Sequence, residues 1–184
     1  MGRALSNWEG LQSSASFLFT AVTGSSDWKY SPIDEAFGLI DSALKRSELI
    51  KSASRAFFEH VRANTADSQV LSSVIDLESA VLKLVTEYQG WAPRRNELAH
   101  GVVVGSQHQD YDGGTGDLVV TYRLYPSMAN SKKWHLISVE PSYGYRAAAI
   151  ERFADGIKDT DRRMFDFALE LGSWWNLVSA SLKS

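Results

Sequence analysis

The residues best suited to chemistry in this chain lie close together in the segment Trp91–Gly101. Two adjacent arginines, Arg94 and Arg95, precede Asn96, and His100 follows four positions after the asparagine. Side chains four positions apart share one face of a helix, so Asn96 and His100 would point the same way. A histidine transfers protons near neutral pH, and an arginine holds a phosphate through two hydrogen bonds. The segment therefore predicts a site that binds a phosphate and moves a proton.

The flanking residues indicate how this site would be positioned. Gly90 is a natural helix stop, and Pro93 is well placed to begin a shorter helix that runs to about Val104. Arg95 would then lie in the first helical turn, where backbone N–H groups also favour an anion. Asn96 would orient the imidazole or the phosphate. Such a group of residues suits metal-independent RNA cleavage, in which a neighbouring 2′-hydroxyl attacks the phosphate.

The run Arg95-Asn96-x-x-Ala99-His100-Gly101 resembles the motif of the HEPN superfamily, in which an arginine, a polar residue and a short spacer precede a histidine. A long amphipathic helix before the run and another after it match the layout of the family. The resemblance implies a helical bundle and, in active members, two motifs that meet at a homodimer interface. It implies a metal-independent endoribonuclease that acts on RNA in bacterial defence or in a toxin–antitoxin pair. Its catalytic residues would be Arg95, Asn96 and His100.

The sequence leaves two alternatives open. Arg94 and Arg95 both stand at a spacing from His100 that the family allows, and we prefer Arg95 as the catalytic one because polar Asn96 directly follows it. Arg94 is then either a second, substrate-binding phosphate contact or a solvated side chain. Many family members keep the fold without catalysis, so the alternative function is a scaffold that binds a nucleotide, an RNA, an antitoxin or another protein. In that case His100 is a helix-end histidine bonded to a carbonyl group.

Apolar side chains at helical spacing predict helices over most of the chain. We expect helices from the N-terminus to about Gly24, from Pro32, around Ile50–Val61, from Asp67 to about Gly90, and from about Arg146 to Leu182. The last of these keeps one seven-residue phase throughout, which favours a single long helix. Thr160 and Asp161 interrupt its apolar stripe, so a break at that point is the alternative.

The segment that precedes this last helix has a different pattern. Residues 105–117 are polar and glycine-rich, which indicates a loop. Apolar alternation in residues 118–125 and a strand-like run in residues 132–139 predict two antiparallel strands, joined by residues 126–131. Because an isolated hairpin is only marginally stable in water, this one should pack against the helices.

These patterns together predict one mainly α domain over residues 1–184. It would be a HEPN-like helical bundle with a loop and hairpin insertion at about 105–141, in which the small antiparallel β-hairpin lies near residues 117–139. Hydrophobic residues make up 44% of the chain, which is enough for a buried core. The sequence has no internal repeat and no linker long enough to separate two domains.

Composition and charge restrict the classes of function. The net charge of −3 disfavours a protein that coats nucleic acid, since such proteins are usually basic, although a small basic cleft can still act on a short single strand. The chain has no cysteine, which suits an intracellular protein, and we expect a cytoplasmic location. No apolar run approaches the roughly 18 residues of a membrane span, so no membrane partner is expected. A glycine-rich phosphate loop and convincing metal-ligand spacings are also missing, so we expect no cofactor and no metal.

Overall fold

The computed structural model describes residues 1–24, 32–109, 118–127, 134–135 and 140–182. Within them the helices are α1 (Gly2–Val22), α2 (Pro32–Gly38), α3 (Ala43–Asn64), α4 (Ser68–His100) and α5 (Ala147–Leu182). The strands are β1 (Gly101–Gln109), β2 (Leu118–Pro126), β3 (Trp134–His135) and β4 (Glu140–Pro141), and they form the antiparallel pairs β1–β2 and β3–β4. The protein is therefore mainly helical with a small antiparallel hairpin, which confirms the predicted fold class.

Local side-chain chemistry sets several helix ends. The hydroxyl of Ser42 accepts a hydrogen bond from the backbone N–H of Lys45 at the start of α3. The carboxylate of Asp67 accepts one from the N–H of Gln69, at 2.8 Å, where α4 begins. Gly24 follows the end of α1 with φ +69°, a left-handed conformation that glycine adopts without a steric penalty. The ends at Gly24 and Asp67 agree with the stop and the start that the sequence predicts.

The chain divides into two compact units, a helical unit and a hairpin unit. The helical unit comprises Ser6–Ala92 and Ile157–Ser184, and the hairpin unit comprises Met1–Leu5 and Pro93–Gly156. Helices α1, α4 and α5 each contribute residues to both units. That residues 1–184 fold as a single domain stays a prediction.

The apolar stripes of the long helices form the core of the helical unit. Tyr88 of α4 is fully buried and stacks on Trp8 of α1, with ring centroids 5.3 Å apart and planes 6° from parallel. On α5 the buried positions include residues at the predicted seven-residue spacing, namely Ile157, Met164, Leu171 and Val178. The predicted long C-terminal helix is therefore confirmed as α5.

Two hydrogen bonds explain why α5 does not break where its apolar stripe is interrupted. Thr160 is buried, and its hydroxyl accepts a hydrogen bond from the indole N–H of Trp91 at 3.0 Å. The carboxylate of Asp161 accepts one from the hydroxyl of Ser14 at 2.5 Å. Because both polar side chains have partners, they can lie inside a continuous helix, and the alternative of a break at this point is wrong.

The structure corrects the boundaries predicted around the motif. Helix α4 passes through both Gly90 and Pro93 and ends at His100, so the predicted stop and the predicted shorter helix are wrong. An interior proline removes one helical hydrogen bond. Tyr88 and Leu98, on either side of it, are fully buried, and their burial stabilises the helix across this point.

The hairpin contains one predicted strand but pairs it with a different partner. Strand β2 confirms the strand expected at residues 118–125, yet its partner is β1, which runs from Gly101 opposite Pro126 to Gln109 opposite Leu118. The predictions of helix for 101–104 and loop for 105–109 are therefore wrong. The sequence carries a signal for this strand, because the β-branched residues Val102–Val104 favour extended structure.

Other parts of the predicted insertion lie mainly outside the described residues. This holds for residues 110–117 of the loop and 128–131 of the connection. In the predicted second strand, only Trp134–His135 is described, and it pairs with Glu140–Pro141 instead of β2. The hairpin is thus displaced from the predicted region near 117–139 to residues 101–126.

The hairpin packs on helical residues within its own unit, as expected for so small a sheet. Leu124 of β2 is buried in a cluster with Leu98, Ala4 and Ala154. Its backbone N–H and C=O groups also pair with those of Tyr145, at 2.9 and 3.0 Å. The strand is therefore fixed by both apolar packing and backbone hydrogen bonds.

The turn from α4 into β1 should require a glycine. A Cβ atom on Gly101 would lie 2.7 Å from the carbonyl oxygen of Glu97 and 2.7 Å from a methyl carbon of Leu124, whereas one on Gly90 would meet no atom within 4 Å. We expect Gly101→Ala to lower the free energy of unfolding by about 1–3 kcal/mol. Gly90→Ala, the control inside the preceding helix α4, should raise it by up to about 1 kcal/mol. Urea titrations followed by circular dichroism measure both, and an unchanged midpoint for the Gly101 variant would contradict the close packing.

Candidate active site

The residues of the sequence motif lie at the C-terminal end of α4. His100 is the last residue of the helix, and Arg94, Arg95 and Asn96 lie one to two turns before it. The expectation that Arg95 occupies a first helical turn is therefore wrong. The last turn of a helix exposes carbonyl groups and carries partial negative charge, so the backbone of α4 offers no N–H groups to an anion here. Side chains must supply any affinity for a phosphate.

Asn96 and His100 have the relation that their spacing predicts. Both side chains are exposed, and they lie one turn apart on the same helix. Arg95 is half-buried, and its guanidinium donates a hydrogen bond to the amide oxygen of Asn96 at 3.2 Å. Its Nε atom is buried and has no hydrogen-bond partner among the described residues.

The phase of the helix separates the predicted arginine from the predicted histidine. Five residues of α-helix turn the chain by about 140° from Arg95 to His100, so these two side chains leave the helix on different sides. Asn96 is only about 40° from His100 and is bonded to Arg95. The asparagine therefore connects the two faces of the motif.

Arg94 belongs to a second group of residues, the Glu97 cluster, which consists of Arg94, Glu97, Tyr143 and Tyr145. The carboxylate of Glu97 accepts hydrogen bonds from the guanidinium of Arg94 at 2.9 Å and from the hydroxyl of Tyr145 at 2.7 Å. Arg94 also donates to the Tyr145 hydroxyl. The hydroxyl of Tyr143 donates to the backbone carbonyl of Glu97 at 3.3 Å. The cluster thus ties the chain before α5 to the end of α4.

Aromatic contacts reinforce these polar ones. The rings of Tyr143 and Tyr145 stack with centroids 4.9 Å apart, and Phe153 meets the Tyr145 ring edge-on at 5.0 Å. The guanidinium of Arg94 lies 5.7 Å from the centroid of Tyr145 and 5.8 Å from that of Phe153. Arg94 is therefore held by a carboxylate, a hydroxyl and two rings, although its side chain is itself exposed.

The environment of the cluster shifts its proton equilibria. Burial raises the pKa of Tyr145 to about 12, and the hydrogen bond to the Glu97 carboxylate adds to this increase. Burial likewise raises the pKa of Tyr143. The hydrogen bond to Glu97 raises the pKa of Arg94 further above its ordinary value. At neutral pH both tyrosines are therefore hydrogen-bond donors, and Arg94 stays charged.

Sequence reasoning found the exposed motif but not this cluster. Glu97 stands three positions after Arg94, a spacing at which helical ion pairs form, and that signal was available. Tyr143 and Tyr145 are separated from Glu97 by 46 and 48 positions, and no local pattern marks them as its partners. Comparisons with family models, with curated proteins and with solved structures found no match for this chain.

The described residues contain no helix that is long and apolar enough to cross a membrane. They also contain no cluster of three or more histidine, cysteine, aspartate or glutamate side chains placed to hold a metal ion.

The raised pKa of Tyr145 has a measurable consequence. Because its pKa is higher in the folded chain than the ordinary value of 10.0, its contribution to stability is complete below pH 10 and is lost as the pH rises towards 12. A pH titration of tyrosinate absorbance in wild type and in Tyr145→Phe measures this pKa. We expect the difference between the two curves, which is the signal of Tyr145, to appear near pH 12. An absorbance difference centred near pH 10 would show that Glu97 and burial do not restrain this hydroxyl.

Proposed function

We propose that this protein is a metal-independent endoribonuclease of HEPN type, with its site at the C-terminal end of α4. One observation carries the proposal: Asn96 and His100 are both exposed one turn apart, and Asn96 is bonded to Arg95. A proton-transfer group and an amide are thereby exposed at the end of one helix, and the amide is bonded to a cation on another side of that helix. Two residues of the motif that resembles the HEPN signature, Asn96 and His100, are therefore open to solvent.

Each residue would have a distinct role in cleavage. The 2′-hydroxyl of RNA would lose its proton and attack the adjacent phosphorus, while the 5′-oxygen of the next nucleotide leaves with a proton. His100 would exchange one of these protons, and Arg95 would stabilise the charge that develops on the phosphate oxygens. Asn96 would hold the guanidinium of Arg95 in place. The products would be a 2′,3′-cyclic phosphate and a 5′-hydroxyl.

A second copy of the chain would complete the site. The reaction needs both a base and an acid, and the described end of α4 offers one histidine. The angle of about 140° between Arg95 and His100 also favours an arrangement in which one phosphate meets side chains from two chains. A homodimer with opposed motifs supplies both requirements. A cytoplasmic setting in bacterial defence or a toxin–antitoxin pair belongs to the same proposal.

One observation favours the second candidate, a scaffold that binds RNA, a nucleotide or a protein without turnover. His100 lies at the helix end where a cation stabilises the partial negative charge of the carbonyl groups. That position gives the histidine a structural role that needs no substrate. The two candidates differ in what happens to RNA when His100 is removed.

Purified protein incubated with mixed cellular RNA in excess chelator separates them. We expect wild type to cleave, and His100→Ala to lose at least about 100-fold in rate, because it removes a proton-transfer group. His60→Ala is the matched control, since His60 is an exposed histidine on α3. Cleavage by the His100 variant at the wild-type rate would refute the nuclease site. Binding of RNA without cleavage by any form would favour the scaffold.

The two arginines should separate function from stability. Arg95→Ala should reduce RNA cleavage with little change in the unfolding midpoint, because within the described residues its side chain donates a hydrogen bond only to exposed Asn96. Arg94→Ala should instead lower the free energy of unfolding by about 1–2 kcal/mol, because it removes a charged partner from Glu97 and Tyr145. Rates and urea midpoints for both variants test this. The reverse assignment would make Arg94 the residue that meets the phosphate.

A further inference from the structure

Strand β1 has an open edge. It pairs with β2 along Gly101–Gln109, and among the described residues no other strand pairs with its opposite side. An unpaired strand edge displays N–H and C=O groups that are ready to pair with another chain. Proteins usually protect such edges with charged residues, proline or bulges, yet β1 has the sequence GVVVGSQHQ, without lysine, acidic residues or proline.

The contacts of Leu124 show which backbone groups occupy this edge. Leu124 bonds to Tyr145 through both its N–H and its C=O, so these groups point away from β1. Its partner in the hairpin is Val103, and the two therefore form a non-hydrogen-bonded pair. The N–H and C=O groups of Val103 consequently point to the open edge. By alternation, those of Gly101 and Gly105 do so as well.

The sequence along this edge is its own mirror image. Gly101-Val102-Val103-Val104-Gly105 reads the same in both directions about Val103. The three valines are exposed, at 46%, 55% and 43% respectively, although β-branched apolar side chains are usually covered in a sheet. An antiparallel copy of the same segment would meet it with identical residue sizes and without like-charge repulsion.

We propose that β1 pairs with β1 of a second copy of this chain, antiparallel and centred on Val103. Val103 would lie on the two-fold axis. Because its N–H and C=O groups point to the open edge, it would exchange two backbone hydrogen bonds with the partner's Val103. Val102 would lie opposite the partner's Val104, so that each exposed valine packs against another. The four strands β2–β1–β1–β2 then form one sheet, in which the open edge of each β1 is paired.

This contact is independent of the proposed nuclease site. In this register six residues of strand separate the two His100 positions, which places them about 20 Å apart along the strands. The strand contact therefore does not bring two motifs to one phosphate. A chain that makes both this contact and an opposed-motif contact would assemble beyond a dimer. Because a short strand pair buries less than a standard interface, the assembly should depend on concentration.

Sedimentation velocity over a range of concentrations tests the pairing with two substitutions at one position. Val103→Pro removes an N–H that faces the open edge, where β2 does not need it, whereas Val103→Thr keeps that N–H and the branched shape. We expect association by wild type and the threonine variant, and at least about tenfold weaker association by the proline variant. A wild type that stays monomeric, or a proline variant that associates as wild type does, overturns the proposal.

Cross-linking tests the register even if the proline variant fails to fold. The natural chain has no cysteine, so each cysteine variant carries a single thiol. Val103→Cys should form a disulfide-linked dimer under mild oxidation, since directly opposed strand residues have Cα atoms about 4.5–5.5 Å apart. Val120→Cys is the control, because Val120 is similarly exposed but lies on β2, about 14 Å from the partner's β2. Equal cross-linking rates at the two positions overturn the proposal.

A mixture of two variants tests the centre of the pairing. Val102→Cys and Val104→Cys should cross-link with each other faster than either does with itself, because the register places these positions opposite one another. Faster self-linking by either variant would mean a different centre and would contradict pairing about Val103. These readouts do not involve RNA, so loss of the nuclease proposal would leave them unchanged.

Discussion

The carboxylate of Glu97 is the contact on which the geometry of the hairpin unit depends. It receives hydrogen bonds from Arg94 on its own helix and from Tyr145, which lies beyond the hairpin in the sequence. Tyr145 in turn pairs through its backbone with Leu124, which fixes the phase of β2 and therefore that of β1. Asn96 and His100 lie in the same turns of α4 as the residues of the Glu97 cluster, and their side chains are exposed to solvent. A hydrogen-bonded cluster and two exposed polar side chains thus share the end of α4.

Much of the helical layout could be predicted because its signals are local. The stripe of α5 repeats every seven residues, and the side chains that interrupt it are hydrogen-bonded, so periodicity outweighed the apparent break at Thr160. At Pro93 the local signal was misleading. Burial of Tyr88 and Leu98 on either side keeps α4 continuous, and burial is a tertiary effect that proline and glycine positions do not reveal. Strand pairing is also tertiary, which is why β2 was predicted and its partner was not.

The candidate site was also predictable only where its signals are local. Its motif spans six residues of one helix, so residue type and spacing identify it from the sequence alone. Where those residues lie in the helix was not evident, because that depends on where α4 begins and ends. Because the motif lies in the last turns of α4, backbone N–H groups cannot help to bind an anion there, and only side chains can. The Tyr145 partner of Glu97 comes from 48 residues away and could be found only in the folded chain.

The most direct test of the proposed site is a titration of the protein with a 2′-O-methyl RNA, which can bind but cannot be cleaved through its 2′-oxygens. Side-chain and backbone NMR signals of labelled protein report where the RNA lies. We expect changes concentrated at Arg95, Asn96 and His100, and none at His60 on α3. Changes confined to other surfaces, or no change at RNA concentrations that saturate binding, would contradict a nucleic-acid site at the end of α4.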